Sequence, residues 1–277
     1  MERSRRLARW RGMRSALAVV ILALACGRSE PARSQPAPAD QPATMPDAAI
    51  DLAARGAAWD RDVAALAKTR ATLAKAWKQA DTAEARAAIR DRASSALVTA
   101  IADELAPAWF GMAWGMGRNS TATRPFAPDQ TISCSYFVGA VLGGAGFTLH
   151  DRFKLGQAAA LHIQQSLVGK PGKVHRFLSI PPADLAARVA KLGDGVYIIG
   201  LANHVGLVVV RGADVRFVHA SYIGEAVVTS EPLATSPAIA ASQPKGYFVS
   251  PLVTAAGAVD DWLVEQWLTG AAVGPTG

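Results

Sequence analysis

The residues best placed to do chemistry in this chain are Cys134, His204 and His219. Cys134 precedes Phe137, Val138, Val141 and Leu142, whose spacing predicts a helix over residues 135–142, stopped by Gly143 and Gly144. A cysteine at a helix start meets unpaired backbone N–H groups and the positive end of the helix dipole, and both favour the thiolate. The same N–H groups can hold an oxyanion. A cysteine nucleophile also needs a base, and the chain offers five histidines. His150, His162 and His175 lie in loop or polar helical stretches without distinctive neighbours. His204 and His219 lie at or near the ends of two β-rich runs linked by Arg211-Gly-Ala-Asp214. If that link is an even-length turn, the histidines stand opposite each other or two positions off, on one sheet face. An odd link without a bulge would separate them. Facing Cys134, His204 would form an ion pair with the thiolate and later protonate a leaving amine. His219 would hydrogen-bond the far ring nitrogen of His204 and orient it. Two plainer readings stay open: a cysteine buried for packing, and histidines satisfied in a core. A zinc site of one cysteine and two histidines is the chemical rival, but no tight ligand pair anchors it. The expectation is therefore no metal and no cofactor.

The elements that must position these residues follow from the pattern around them. β-rich runs at Val196-Tyr-Ile-Ile199, Val205-Gly-Leu-Val-Val-Val210, Val215-Arg-Phe-Val-His219 and Val227-Val-Thr229, with a further one at Tyr247-Phe-Val249, predict an antiparallel sheet. A polar helical stretch is expected over residues 154–167, and loop over 109–128, rich in Gly, Trp, Met and Pro. Helix first and sheet afterwards give an α+β domain over residues 108–255. Upstream, Leu52, Trp59, Val63, Leu66, Leu73 and Trp77, then Ile89, Leu97, Ile101 and Leu105, predict two helices over residues 48–107. They would form a hairpin or lie as an arm on the later domain. Asp81-Thr-Ala-Glu84 reads as a capping box with Asp81 as the cap. Residues 256–277 are expected to hold a C-terminal helix and tail.

The N-terminal segment accounts for most of the charge. The chain has 277 residues and a formal charge of +7. Six arginines in the first fourteen residues, opposed by Glu2, supply +5 of it, so the remainder is close to neutral and a nucleic-acid partner is excluded. The arginines precede an apolar run over residues 16–25 and then Cys26, the signature of an export signal over residues 1–25. The run is too short to span a bilayer. Ala23-Leu24-Ala25-Cys26 reads as a lipobox, with Cys26 cleaved at its N-side and lipidated; an Ala-x-Ala site for ordinary cleavage is the other reading. Residues 26–47, rich in Pro, Ala, Ser and Gln, would follow as a tether. The expected location is the periplasmic face of a bacterial membrane, held by a lipid anchor, or else the periplasm or exterior in soluble form. With Cys26 acylated, Cys134 is the one thiol left.

Three segments in this order resemble the NlpC/P60 family of bacterial cell-wall cysteine peptidases. Ser133-Cys-Ser-Tyr-Phe-Val-Gly-Ala-Val141 is similar to its Asp-Cys-Ser-Gly-Phe-Val segment. Leu192-Gly-Asp-Gly-Val196 is similar to the Pro-Gly-Asp step into its sheet. His204-Val-Gly-Leu-Val208 with Phe217-Val-His-Ala-Ser221 resembles the paired strands that carry its two histidines, and Trp114-Gly115 resembles a Trp-Gly-Gly segment upstream. The resemblance covers about half the chain. It implies a papain-like fold, a Cys134–His204–His219 triad, and hydrolysis of amide bonds in peptidoglycan stem peptides. Departures from the pattern are Ser133 where the family has Asp, Tyr136 where it has Gly, and Met112 in place of a tyrosine that helps bind the oxyanion. A noncatalytic envelope-binding module on the same fold is the competing expectation.

Overall fold

The structure is a computed structural model that describes residues 52–169, 173–255 and 262–276. The expected export signal, Cys26 and the tether lie outside the described residues. The described residues fall within one compact unit. It is mixed α+β, with helices packed on an antiparallel sheet.

The N-terminal helices are α1 (Leu52–Gln79) and α2 (Ala83–Thr99), the latter running on through a π-helical turn (Ala100–Leu105). Their apolar stripes are buried as expected: Trp59, Leu66, Leu73, Ile89, Leu97, Ile101 and Leu105 all enter the main core. That core also holds Phe137, Val138 and Val141, so the hairpin is built into the same core as the cysteine-bearing helix. The capping box is one residue out of register. Thr82 is the cap of α2, accepting from Ala85 N at 3.1 Å, because the backbone is extended at Thr82 and helical from Ala83. A box from Thr82 would need its acid at position 85, which is alanine.

Helix α3 (Cys134–Gly144) is buried from Ser135 through Leu142, all round rather than on one face. Gly143 and Gly144 are its last two residues, so the helix stops at the glycine pair, two residues past Leu142. A Cβ at Gly144 would fall 2.5 Å from the Trp59 ring, so this glycine lets α1 approach. The left-handed residue that turns the chain out is Gly146. The two-residue strand β1 (Thr148–Leu149) follows. The expected single helix over 154–167 is two, α4 (Arg152–Gln157) and α5 (Ala160–Val168), because the backbone is extended at Ala158 and Ala159.

The sheet comprises β2 (His175–Phe177), β3 (Gly195–Gly200), β4 (Val205–Arg211), β5 (Asp214–Ala220), β6 (Val228–Pro232) and β7 (Tyr247–Thr254), with helices α6 (Pro182–Ala190) and α7 (Pro237–Ser242) between strands. Its order is β2-β7-β3-β4-β5-β6, antiparallel throughout. The main core, with α3, covers one face through Val196, Ile198, Leu207, Val209 and Val218. A smaller core covers the other through Tyr197, Ile199, Val208, Val210, Phe217 and residues of α6 and α7. Central strands covered on both faces read as continuous valine and isoleucine runs. Gln164 fastens α5 to the sheet, donating to the carbonyls of Ile198 (3.1 Å) and Phe248 (2.7 Å).

The C-terminal helix α8 (Trp262–Thr269) is tied to α1, α2 and the end of α3. Arg70 Nε donates to the Trp267 carbonyl, Arg90 pairs with Glu265 at 2.7 Å, and Trp267 Nε1 donates to the Ala145 carbonyl. The tail ends as β8 (Ala272–Val273), parallel to β1. No described helix is long and apolar enough to cross a membrane.

Candidate functional site

Cys134 is the first residue of α3. Ser133 caps it in an extended conformation with no side-chain hydrogen bond, so the first-turn N–H groups are not consumed by a cap. Cys134 is a free, half-buried thiol whose Sγ lies 3.9 Å from Ser135 Oγ.

The histidine pair is set by one turn. Arg211 pairs with Asp214 across the two-residue link Gly212–Ala213, with Gly212 at φ 56°. A left-handed residue first suits a two-residue hairpin, and Asp194 accepts from the Gly212 N–H. The link is therefore even. Continuing the register one pair past Leu207↔Val218 sets Gly206 across from His219, and His204 two positions off on the same face. Their rings meet as the spacing required: His204 Nε2 lies 2.7 Å from His219 Nδ1. Both rings are buried, at 3% and 0% exposure. Phe217 stacks on His219 at 4.0 Å and meets His204 edge-on at 5.8 Å.

His204 stands one residue before β4, at the rim of the sheet, and Cys134 stands at the end of the helix on the opposite face. The two line one cavity of about 420 Å³, with Gln157, Ala158, Asn203 and Val205. Its floor includes the break between α4 and α5. A second cavity of about 650 Å³ shares Cys134, Ser135, Gln157 and Asn203 and extends to Trp114, Met116, Tyr136 and Tyr222. His204 Nδ1 is buried without a hydrogen-bond partner. His219 does not line either cavity, and acts on it only through His204.

Burial first, and the neighbouring His219 second, push His204 down to about 3. Burial thus favours the neutral form of this ring over the imidazolium.

Of the other expectations, Trp114 lines the larger cavity, while Met112 is 2% exposed in the main core and lines neither. Tyr136 forms a cavity wall, packed so closely on Gly156 that a Cβ there would lie 2.3 Å from the Tyr136 Cζ. His150, His162 and His175 do not join the site; His175 stacks on Phe177 at the edge strand β2. Among the described residues no cluster of three His, Cys or acidic side chains is arranged to hold a metal ion.

Sequence reasoning missed Gln157, Asn203 and Tyr222, which lie in loops or at element ends, and Glu231. His219 Nε2 lies 3.1 Å from Glu231 Oε1, and Ser236 Oγ donates to that same oxygen at 2.5 Å. Burial opposes charge on Glu231, but the bonds from His219 and Ser236, with Arg216 nearby, outweigh it and hold the carboxyl below its usual range. Glu231 falls two residues after Thr229, the partner of His219, a signal readable only once the β5–β6 register is known.

No family model, curated protein or solved structure matches the chain.

Proposed function

We propose that this chain is a cysteine hydrolase of the papain-like, NlpC/P60 kind, cleaving amide bonds by a Cys134–His204–His219 triad. The observation that carries the reading is that His204, whose buried Nδ1 has no partner and whose Nε2 is held by His219, lines a cavity that Cys134 also lines. A buried ring nitrogen without a partner costs about 1–3 kcal/mol, and such costs concentrate where a group awaits a reacting partner.

In the reaction, Cys134 Sγ attacks the amide carbon and its proton passes to His204 Nδ1. The carbonyl electrons move to oxygen, near the uncapped N–H groups of α3 and the Gln157 side chain. His204 Nδ1–H then protonates the leaving nitrogen as the C–N bond breaks, leaving a thioester. Water, deprotonated by the same nitrogen, releases the acid and restores the thiol. The proton transfer from Cys134 requires its Sγ and His204 Nδ1 to meet in the substrate complex, where catalytic hydrogen bonds commonly tighten.

The substrate class is peptide-linked amides of peptidoglycan. Export and a lipid anchor at Cys26 would bring the domain to that substrate. Full-length protein and its Cys134→Ala variant, incubated with peptidoglycan fragments and followed by mass spectrometry, test the reading. New amine-terminated fragments from the wild type alone are expected. Equal products from both, or none from either, overturn it for this substrate. Labelled fatty acid entering the wild type but not Cys26→Ser checks the anchor.

A further inference from the structure

The hydrogen-bond chain that begins at His204 ends on a charge. Glu231 Oε1 receives both His219 Nε2 and Ser236 Oγ, and Ser236 Oγ in turn accepts from Ile239 N at 3.2 Å, so its own proton points to Glu231. A carboxylate offers only lone pairs. His219 must therefore present Nε2–H to Glu231. In the neutral ring, Nδ1 is then an acceptor, and the one group in reach is His204 Nε2, 2.7 Å away. His204 must donate there, which leaves its second nitrogen without a proton.

We propose that Glu231 is a positioning residue: through His219 it fixes His204 as the Nε2–H tautomer and keeps Nδ1 open to the Cys134 proton. The catalytic consequence rests on the hydrolase reading; the tautomer assignment does not. Without the charge, His219 can turn its proton to Nδ1, His204 then carries its own on Nδ1, and the base is lost. Proton transfer from Cys134 leaves Nε2–H donating to His219 as before, and the Glu231 charge, one ring further on, offsets the new imidazolium. The titratable and charged neighbours of Glu231 are His219 and Arg216 on β5, and Glu225, which lines the same small cavity with Thr229 and Ala238.

The test measures imidazole ¹⁵N shifts in the full-length protein at neutral pH, beside the pH profiles of Cys134 alkylation and of hydrolysis. The wild type should show protonated Nε2 and bare Nδ1 on both rings. Glu231→Gln should mix the tautomers of His204, shift the alkylation profile and slow hydrolysis by roughly 10²-fold, the low end of what a general base contributes. Glu231→Asp should restore part of each, and Ser236→Ala, which keeps the charge, should keep the tautomers. A wild-type His219 protonated on Nδ1 overturns the assignment, even if the variants fail to fold. So does a folded Glu231→Gln protein with wild-type shifts and profiles. The expected tautomers without hydrolysis of any amide would overturn the hydrolase reading and leave the role of Glu231 standing.

Discussion

Gly206 faces His219 across the β4–β5 ladder at a separation that leaves no room for a side chain. A Cβ at 206 would lie 2.8 Å from the His219 Cβ, 2.6 Å from Phe217 Cε2 and 2.9 Å from the Val218 carbonyl oxygen. The stacked Phe217 and His219 rings occupy the space that the missing side chain vacates, and the His204–His219 bond depends on it. Gly206→Ala forces a shift in backbone or in both rings, at about 1–3 kcal/mol for overpacking. Chemical denaturation should show that loss, and on the proposed hydrolase reading amide hydrolysis should fall with it. A variant with an unchanged midpoint and full activity would show that His219 has slack this geometry does not contain.

Stability should depend on pH through His204. Its folded pKa, about 3, lies below the ordinary histidine value, so the unfolded chain binds the extra proton as pH falls between about 6.5 and 3. Folding therefore has its full contribution from this ring above about 6.5 and loses it on acidification. Glu231, also lowered, acts in the same direction at lower pH, losing its contribution as pH falls through its folded pKa. The melting temperature should drop steadily from pH 7 to pH 4, and His204→Asn should flatten the upper part of that slope. Equal slopes in the two proteins would place the acid sensitivity elsewhere.

Thr82 and Asp81 give a clean comparison on the start of α2. Thr82 Oγ1 caps the helix, so Thr82→Ala should cost about 0.5–2 kcal/mol. Asp81→Ala should cost far less. Because Ile89 and Leu97 of this helix lie in the main core, the loss should appear in global unfolding by denaturant rather than as local fraying. The reverse ranking would restore the capping register read from the sequence.

What could be read in advance was whatever depends on local period. The valine runs of β4 and β5 and the helix start at Cys134 are local patterns, but the histidine pair followed from them only once the link was known to be the two-residue Gly212–Ala213. Glu231 depends instead on the pairing of β5 with β6, whose strand runs to Pro232, three residues past the expected Thr229, and a proline at its end hides the acid just before it. The break at Ala158 and Ala159 escaped for a related reason. Both are alanines, good helix formers, so nothing in the local sequence marks the extended backbone there. The three-residue β2 is too short to carry a period, and exists because β7 offers it an edge.

Tyr136 and Gly156 should prove energetically linked. A Cβ at 156 would lie 2.3 to 2.6 Å from three atoms of the Tyr136 ring, while Phe153 packs edge-on against that ring at 6.2 Å and the Arg152 guanidinium lies 5.8 Å from its centroid. The ring cannot yield freely, so Gly156→Ala alone should destabilise by about 1–3 kcal/mol. Tyr136→Ala should cost about 3–5 kcal/mol, the range for emptying a large buried aromatic, and should widen the cavity beside Cys134. In the Tyr136→Ala background the added methyl of Gly156→Ala meets empty space and should cost little or recover some stability. Equilibrium denaturation of the four proteins measures the difference, and contacts this close should depart from additivity by about 0.5–3 kcal/mol. On the proposed hydrolase reading, widening the wall should raise KM for the amide substrate more than it lowers kcat, since Tyr136 lines the cavity beside Cys134 but carries no proton in that mechanism. Additive costs, or a loss confined to kcat, would mean that Tyr136 acts on the nucleophile itself.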